Sequence, residues 1–123
     1  MEKLTQVLKR IERLGSPNRF KEVRRLGLRA RAGRVSISIL ENGLPHNRAG
    51  FSVRSKGSML AVRRNRIKRL LKEGYRRHKD LIKPGADIVI AYFDETKKLP
   101  TFSETEKIVA VGLKKAATGW QKK

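Results

Sequence analysis

Apolar residues recur at intervals of three and four along three segments of the chain, and this spacing predicts helices. The first segment runs from Leu4 to Leu14 and is ended by Gly15. The second follows Ser16-Pro17, a pair typical of an N-cap and a first helical position, and ends at Gly27. The third segment is the longest, from about Met59 to Lys79. Its apolar positions are Ile67, Leu70, Leu71 and Tyr75.

Alternation of apolar and polar residues predicts strands between the second and third helices. Arg34–Leu40 alternates, and its apolar side consists of Val35, Ile37 and Ile39. After the turn signals Asn42-Gly43 and Pro45, Ala49–Val53 alternates as well, and we expect this strand to run antiparallel to the first. The basic segment before them, Leu28–Gly33, is expected to hold at most a short edge strand.

The last third of the chain predicts a buried strand followed by a helix. Ile88–Tyr92 is a continuous apolar run, typical of a central strand that is covered on both faces. Ser103 and Glu106 have the spacing of a capping box, which predicts a helix that runs to about Ala117. The residues expected to face the sheet are Ile108, Val111 and Gly112.

Together these elements predict a single domain, 1–123, in which a sheet packs against helices. A strand–helix–strand unit extends from Phe51 to Tyr92. We therefore expect an α/β (α+β) two-layer sandwich, with residues 1–15 adding an extra N-terminal helix.

The charge of the chain points to the class of its partner. Lys and Arg number 31 against 11 Asp and Glu, a formal net charge of +20. A compact domain with that charge repels itself, and a polyanion that releases its own counterions relieves the repulsion. Nucleic acid is therefore the expected partner. An anionic membrane would require a basic amphipathic helix rich in Trp, Phe or Leu, and the single tryptophan is Trp120, near the C-terminus.

Composition also narrows the compartment and the kinds of site. The chain has no cysteine, which excludes disulfides and thiolate metal sites. Its longest apolar run, Ile88–Phe93, is too short to span a bilayer, and the N-terminus lacks the apolar stretch of a secretory signal. We expect a cytoplasmic protein.

The strongest candidate site lies on the third predicted helix. The stretch AVRRNRIKRLLKEGYRR carries eight basic residues and one acid, Glu73, between Arg63 and Arg77. On a helix the apolar stripe faces one way and the basic residues another, where guanidinium groups can bind phosphates and stack on unpaired bases. Asn65 can both donate to and accept from a base edge or a 2′-hydroxyl. A merely solvated helix face usually mixes charges, so this uniform charge favours binding.

Other candidate sites are weak. His46 and His78 are the only histidines, and a solvated side chain is the commoner reading of each. Asp87, Asp94 and Glu95 bracket the buried strand and could help to hold a divalent ion, although such residues more often mark strand ends. The sequence lacks a phosphate-binding loop, a zinc spacing and a Ser-His-Asp order. No catalytic residue is therefore predicted in this chain.

The stretch AVRRNRIKRLLKE resembles the signature of the bacterial ribonuclease P protein family, in which an Arg-Asn-Arg core precedes further basic residues. RAGFSVRSKG resembles the strand and loop that lead into this signature. PGADIVIAYF and SETEKIVAVGLKKA resemble the buried strand and the final helix that follow it. The resemblance extends from about Arg19 to Trp120.

This resemblance implies a fold with the order α-β-β-β-α-β-α and a left-handed β-α-β crossover, like ribosomal protein S5 domain 2, against the usual right-handed rule. It also implies a partner, the catalytic RNA subunit of ribonuclease P, and a substrate, precursor tRNA. The protein would assist endonucleolytic removal of the 5′ leader. The chemistry would lie on the RNA subunit, with Mg²⁺ held mainly by that RNA and with no membrane or small-molecule cofactor.

The same resemblance assigns residues to two contacts. The RNA-contacting helix would use Arg63, Arg64, Asn65, Arg66, Lys68, Arg69 and Lys72. The cleft for the single-stranded leader would use Phe20, Arg24, Ser36 and Ser38. Phe20 matches an aromatic residue of the family, whereas Arg24 and Ser38 stand where aromatic residues are common. We therefore expect this cleft to hold the leader more by charge and hydrogen bonds than by stacking.

Two other functions remain open at this point. A structural rRNA-binding ribosomal protein would share the size, the charge and the α/β sandwich. The Arg64-Asn65-Arg66 stretch, with a buried strand at the right distance after it, favours ribonuclease P. A nuclease that acts alone is disfavoured by the lack of a catalytic cluster.

Overall fold

The computed structural model describes residues 9–55, 57, 59–95 and 98–121. Within these ranges the helices are α1 (Pro17–Leu26), α2 (Ala61–His78) and α3 (Phe102–Gln121). The strands are β1 (Leu28–Ala32), β2 (Val35–Glu41), β3 (Arg48–Arg54) and β4 (Ala86–Phe93). Short 3-10 turns precede α1, at Arg10–Glu12, and follow α2, at Lys79–Leu81. The α-β-β-β-α-β-α order is confirmed.

The four strands form one mixed sheet in the order β1-β2-β4-β3. β2 is antiparallel to both β1 and β4, and β4 is parallel to β3. The second predicted strand does run antiparallel to the first, but the two are not neighbours, because β4 lies between them. β4 therefore has a paired strand along each of its two edges. For example, Ile90 lies opposite Ile37 of β2 and opposite Phe51 of β3.

Helices cover both faces of this sheet. The larger core lies between the sheet and the layer formed by α2 and α3, where Ile37, Ile90, Ile67 and Leu113 are fully buried. A smaller cluster lies under α1 on the opposite face, built on Val23 and including Phe20; its other members are Leu14, Val89 and Leu40. The prediction that β4 is buried on both faces is confirmed, since Val89 and Ile90 face opposite layers and neither is more than 1% exposed.

The start of α1 is formed as predicted. Ser16 accepts a hydrogen bond from the Arg19 backbone N–H at 3.3 Å, and Pro17 occupies the first helical position, where its missing N–H costs nothing. The basic segment before β2 does contain an edge strand, β1.

Two details of the helices differ from the expectation. Residues 4–8 of the first predicted helix lie outside the described part of the chain. Its remainder forms one 3-10 turn and then extends beside β3, where the Leu14 N–H donates to the Ala49 carbonyl at 2.9 Å. The helix prediction up to Leu14 is therefore wrong, because the sheet edge supplies a hydrogen-bond partner that competes with the helix.

The final helix begins slightly earlier than predicted and turns a different side to the core. Thr101, not Ser103, caps it, with its hydroxyl accepting from the Glu104 N–H at 3.1 Å. Gly112 does face the sheet, and a Cβ there would lie 2.7 Å from Cδ1 of Ile37. Val111, however, is 46% exposed, and Val109 is buried instead. Packing against α2 as well as the sheet rotates the buried side of this helix toward Val109.

Candidate nucleic-acid interface

The outward side of α2 carries a set of cationic and amide groups that have no side-chain partner among the residues that the structure describes. Ile67, Leu71 and Tyr75 anchor the opposite side of the helix in the core. The outward set makes no side-chain hydrogen bond or salt bridge with any residue that the structure describes; its members are Arg64, Asn65, Arg66, Lys68, Arg69 and Lys72. Of these, Lys68 and Lys72 are half-buried, and the other four are exposed. Six of the seven residues predicted for this contact are therefore available to a ligand.

Arg63, the seventh, is held within the protein. Its guanidinium donates to both carboxylate oxygens of Asp94, at 2.7 Å from Nε and 3.1 Å from Nη2, and also to the carbonyl of Lys98 at 3.3 Å. Asp94 is buried at the end of β4. Arg63 thus ties the first turn of α2 to the sheet, and an RNA contact by this side chain stays a prediction.

Within residues 64–72 of α2, no cationic side chain forms a salt bridge with an acid that the structure describes. Glu73 is the single acid in the sequence of this helix, and Arg76 pairs with it. That hydrogen bond holds the pKa of Glu73 below its ordinary value, although partial burial opposes the shift, so Glu73 stays ionised at neutral pH. Arg77 lies 3.9 Å from Glu106 and stacks over the Phe102 ring. Unpaired positive charge is consequently concentrated between Arg64 and Lys72.

A second basic surface lies on the other face of the sheet, beside α1. An open groove of about 220 Å³ runs over the sheet where α1 leaves it uncovered. Its floor includes Ser36, Ala91 and Phe93. Arginines from α1 and three strands or their ends surround it: Arg24, Arg29, Arg31, Arg34 and Arg54. We refer to this feature as the arginine groove.

Three guanidinium groups of the arginine groove, those of Arg24, Arg29 and Arg54, repel one another, whereas Arg34 pairs with Glu95 at 3.3 Å. Desolvation lowers the pKa of Arg24, and the nearby charges of Arg54 and Arg29 lower it further. Arginine remains charged at neutral pH even so, because its unperturbed pKa lies far above neutrality. The groove therefore carries repulsion that a bound anion would relieve.

The structure brings only two of the four residues predicted for a leader cleft together in the arginine groove. Arg24 and Ser36 line the arginine groove. Ser38 is 2% exposed, in the part of the sheet that α1 covers, and so does not line the groove. Phe20 is half-buried in the cluster around Val23, and its ring lies on Gly50 so closely that a Cβ there would be 2.2 Å from the ring.

Most of the arginine groove was missed by the sequence analysis. Arg29 and Arg31 lie in register with Ser38 and Ser36 across the β1–β2 pair, so they share that face of the sheet. Arg54 and Phe93 are neighbours across β3 and β4. The period-two alternation of β1 is a signal that could have found its two arginines, whereas the positions of Arg34, Arg54 and Phe93 depend on strand pairing.

The acidic groups around β4 are engaged by arginines and an amide. Asp87 is fully buried and accepts hydrogen bonds from Arg48, Arg19 and Asn42 at 2.7–3.0 Å. Burial raises the pKa of Asp87, but these hydrogen bonds outweigh that effect and leave the pKa below its ordinary value. Asp94 is held by Arg63 as described above. Among the described residues, no group of three His, Asp or Glu side chains could hold a metal ion.

Neither histidine belongs to the outward set of α2 or to the arginine groove. His46 lies in the loop before β3, where its carbonyl accepts from the Asn42 side chain at 3.1 Å. His78 ends α2, and its Nε2 lies 3.5 Å from a Glu106 carboxylate oxygen.

No helix among the described residues is both long and apolar enough to cross a membrane.

Comparison with known proteins gives one consistent answer. The family model for ribonuclease P matches residues 8–117. The ribonuclease P protein component of Syntrophobacter fumaroxidans is 35% identical over 105 residues, which cover 85% of this chain and 87% of the relative. That of Syntrophus aciditrophicus is 40% identical over 90 residues, 73% of each chain.

Solved structures agree with the sequence comparison. The ribonuclease P protein of Thermotoga maritima superposes with a TM-score of 0.69 at 28% identity, over 85% of this chain and 96% of that one. A mutant ribonuclease P protein of Staphylococcus aureus has a TM-score of 0.72 at 24% identity, over 93% and 95% of the two chains, which shows the shared fold. On the strength of the family match and these relatives, the chain belongs to the bacterial ribonuclease P protein family.

Proposed function

We propose that this chain is the protein subunit of a cytoplasmic ribonuclease P holoenzyme, which removes the 5′ leader of precursor tRNA. The single observation that carries the proposal is the outward set on α2, from Arg64 to Lys72, which has no side-chain partner among the described residues and is presented by a helix whose other side is buried in the core. The family match favours this function over a ribosomal protein.

The basic side of α2 is proposed to bind the RNA subunit. Arginine forks match two phosphate oxygens at once, and lysines add point charge. Each phosphate that the helix neutralises releases counterions from the RNA, so binding should weaken steeply as salt rises. Asn65, flanked by Arg64 and Arg66, would add a contact to a base edge or a 2′-hydroxyl.

The arginine groove is proposed to hold the single-stranded leader. A single strand exposes phosphates and bases together, and the groove offers guanidinium groups around a floor that includes Phe93 and Ser36. Because the aromatic surface is small compared with the five arginines, charge should contribute more of the leader affinity than stacking does. Mature tRNA lacks the leader and would leave this groove empty.

The cleavage chemistry is proposed to belong to the RNA subunit. The described residues do not fit a Mg²⁺ site, because Asp87 and Asp94 are already held by arginines. We therefore assign Mg²⁺ mainly to the RNA. The protein would neutralise phosphates, stabilise the folded RNA and favour precursor over mature tRNA.

The direct test is to purify the full chain from its own host at low salt and to sequence the RNA that accompanies it. We expect one abundant structured RNA that, recombined with the protein and Mg²⁺, cleaves precursor tRNA at the mature 5′ end. Recovery of ribosomal RNA, with no leader cleavage on reconstitution, would overturn the proposal in favour of a ribosomal protein.

A further inference from the structure

Two apolar side chains are fully presented to solvent at the start of the basic helix. Leu60, the residue before α2, is 78% exposed, and Val62, in its first turn, is 77% exposed. Single exposed apolar residues are ordinary on protein surfaces. Here, however, one immediately precedes the basic helix and the other lies in its first turn, and neither contributes to the core clusters of the described residues.

Val62 belongs to a groove on the outward side of α2. Asn65, Arg66 and Arg69 follow it at intervals of three, four and seven residues, so all four side chains lie on one side of the helix. The groove has a volume of about 490 Å³, within the range of about 300–1,000 Å³ typical of small-ligand sites. Its apolar end is therefore next to groups that bind phosphates and base edges.

Charge and shape identify the kind of ligand. A partner at this groove must carry negative charge for Arg66 and Arg69 and an apolar surface for Val62. An unstacked nucleotide of RNA has both, since its base is a flat apolar ring with polar edges attached to a phosphate. An anionic membrane is less suitable, because the long apolar side of α2 faces the core and only two residues remain to enter the lipid.

We propose that Leu60 and Val62 form an apolar platform against which the RNA subunit places an unstacked nucleobase. The edge of that base would bind Asn65, and its flanking phosphates would bind Arg66 and Arg69. This inference rests on the proposed function, and it adds a non-electrostatic contact to a surface otherwise dominated by charge.

The test uses substitutions that remove apolar surface without weakening the fold. Leu60 has the extended backbone of an N-cap residue, with φ −64° and ψ 138°, but provides no side-chain cap. Leu60→Ser should therefore cap α2 and raise the melting temperature or leave it unchanged. Val62→Ala replaces a β-branched residue by a better helix former and should be equally well tolerated.

Affinity for a transcript of the host's ribonuclease P RNA, measured across a salt series, decides the question. Each substitution should weaken binding by about fourfold to fifteenfold at every salt concentration, the scale of one or two buried methylene groups. The log–log slope against salt should stay unchanged, since no phosphate contact is lost. The matched control is Val111→Ala, at an exposed valine of α3, which should leave affinity unchanged.

The outcomes separate this inference from the function on which it rests. If Leu60→Ser and Val62→Ala bind like the wild type while Arg66→Ala loses affinity, the platform is wrong and RNA binding by α2 stands. If Arg66→Ala also binds normally, the proposed function of α2 fails. Loss of binding to phosphatidylglycerol vesicles by the two apolar variants, with RNA affinity unchanged, would identify a membrane contact instead and overturn the proposal.

Discussion

The Arg48 guanidinium donates two hydrogen bonds to the Asp87 carboxylate, 2.8 Å from Nε to Oδ1 and 2.7 Å from Nη2 to Oδ2. Arg19 of α1 donates to the same carboxylate at 2.7 Å and also to the Glu41 carbonyl. One buried acid thus joins α1, the end of β2, β3 and β4. It fixes α1 over the sheet and thereby decides how much of that face remains open as the arginine groove.

Replacement of Asp87 by Asn should lower the free energy of unfolding by about 3–5 kcal/mol at pH 7, because two arginines lose a buried partner. The folded pKa of Asp87 is lowered, so its contribution is present above the unfolded pKa of about 3.9 and is lost as the pH falls through the lower folded value. Urea denaturation at several pH values should therefore show the two proteins converging only below about pH 4. Asp80→Asn, at an exposed acid, is the control, and an equal loss there would contradict this account.

Arg63 and Arg64 are adjacent arginines with different predicted roles. Arg64→Ala should keep the melting temperature and flatten the log–log salt dependence of RNA binding by about 0.7–0.9, the share of one phosphate. Arg66→Ala should behave in the same way. Arg63→Ala should instead lower the melting temperature, as should Asp94→Asn, because each breaks the same ion pair. Thermal melts and salt titrations of the four variants test this, and identical behaviour of Arg63→Ala and Arg64→Ala would contradict it.

Phe93 and Phe20 are predicted to differ in what they stabilise. Phe93→Leu keeps an apolar side chain but removes the aromatic ring from the groove floor, and should cost precursor tRNA about 1–3 kcal/mol of binding free energy. Mature tRNA should bind as before. Phe20→Ala should lower the free energy of unfolding by about 2 kcal/mol or more, since the ring packs on Gly50 beside Val23. If Phe20→Ala weakens only precursor tRNA and melts normally, Phe20 is a leader contact, as its match to the family implies.

The histidines should be dispensable for cleavage. His46→Ala and His78→Ala proteins, reconstituted with the RNA subunit, should cleave precursor tRNA at nearly the wild-type rate at saturating protein. Loss of a general base would instead slow the chemical step by about 10²–10⁴-fold. Single-turnover rates measure this directly, and a loss of that size in either variant would place part of the active site on the protein.

Local patterns were sufficient for the basic side of α2 and for the helices and strands from α1 onward, but not for the helix expected up to Leu14. The helical period places Asn65 and Arg69 on the side opposite Ile67 whatever else the chain does, because this geometry is set within one turn. The start of α1 was also predictable from adjacent residues, because Ser16 caps the helix and Pro17 occupies its first position. The handedness of the β3–α2–β4 crossover stays a prediction from the family resemblance.

Strand order and the partners of individual side chains were decided only by the tertiary structure. β4 pairs with β2 along one edge and with β3 along the other, while helices cover both of its faces, and all of these contacts join elements far apart in sequence. Arg63 looks like its neighbours in the sequence, yet Asp94, 31 residues later, holds it. Likewise strand pairing brings Arg54 beside Phe93, and the packing of α1 on the sheet brings Arg24 to the same groove. The period of a helix or strand is a property of adjacent residues, whereas pairing depends on contacts that form only when the whole chain packs.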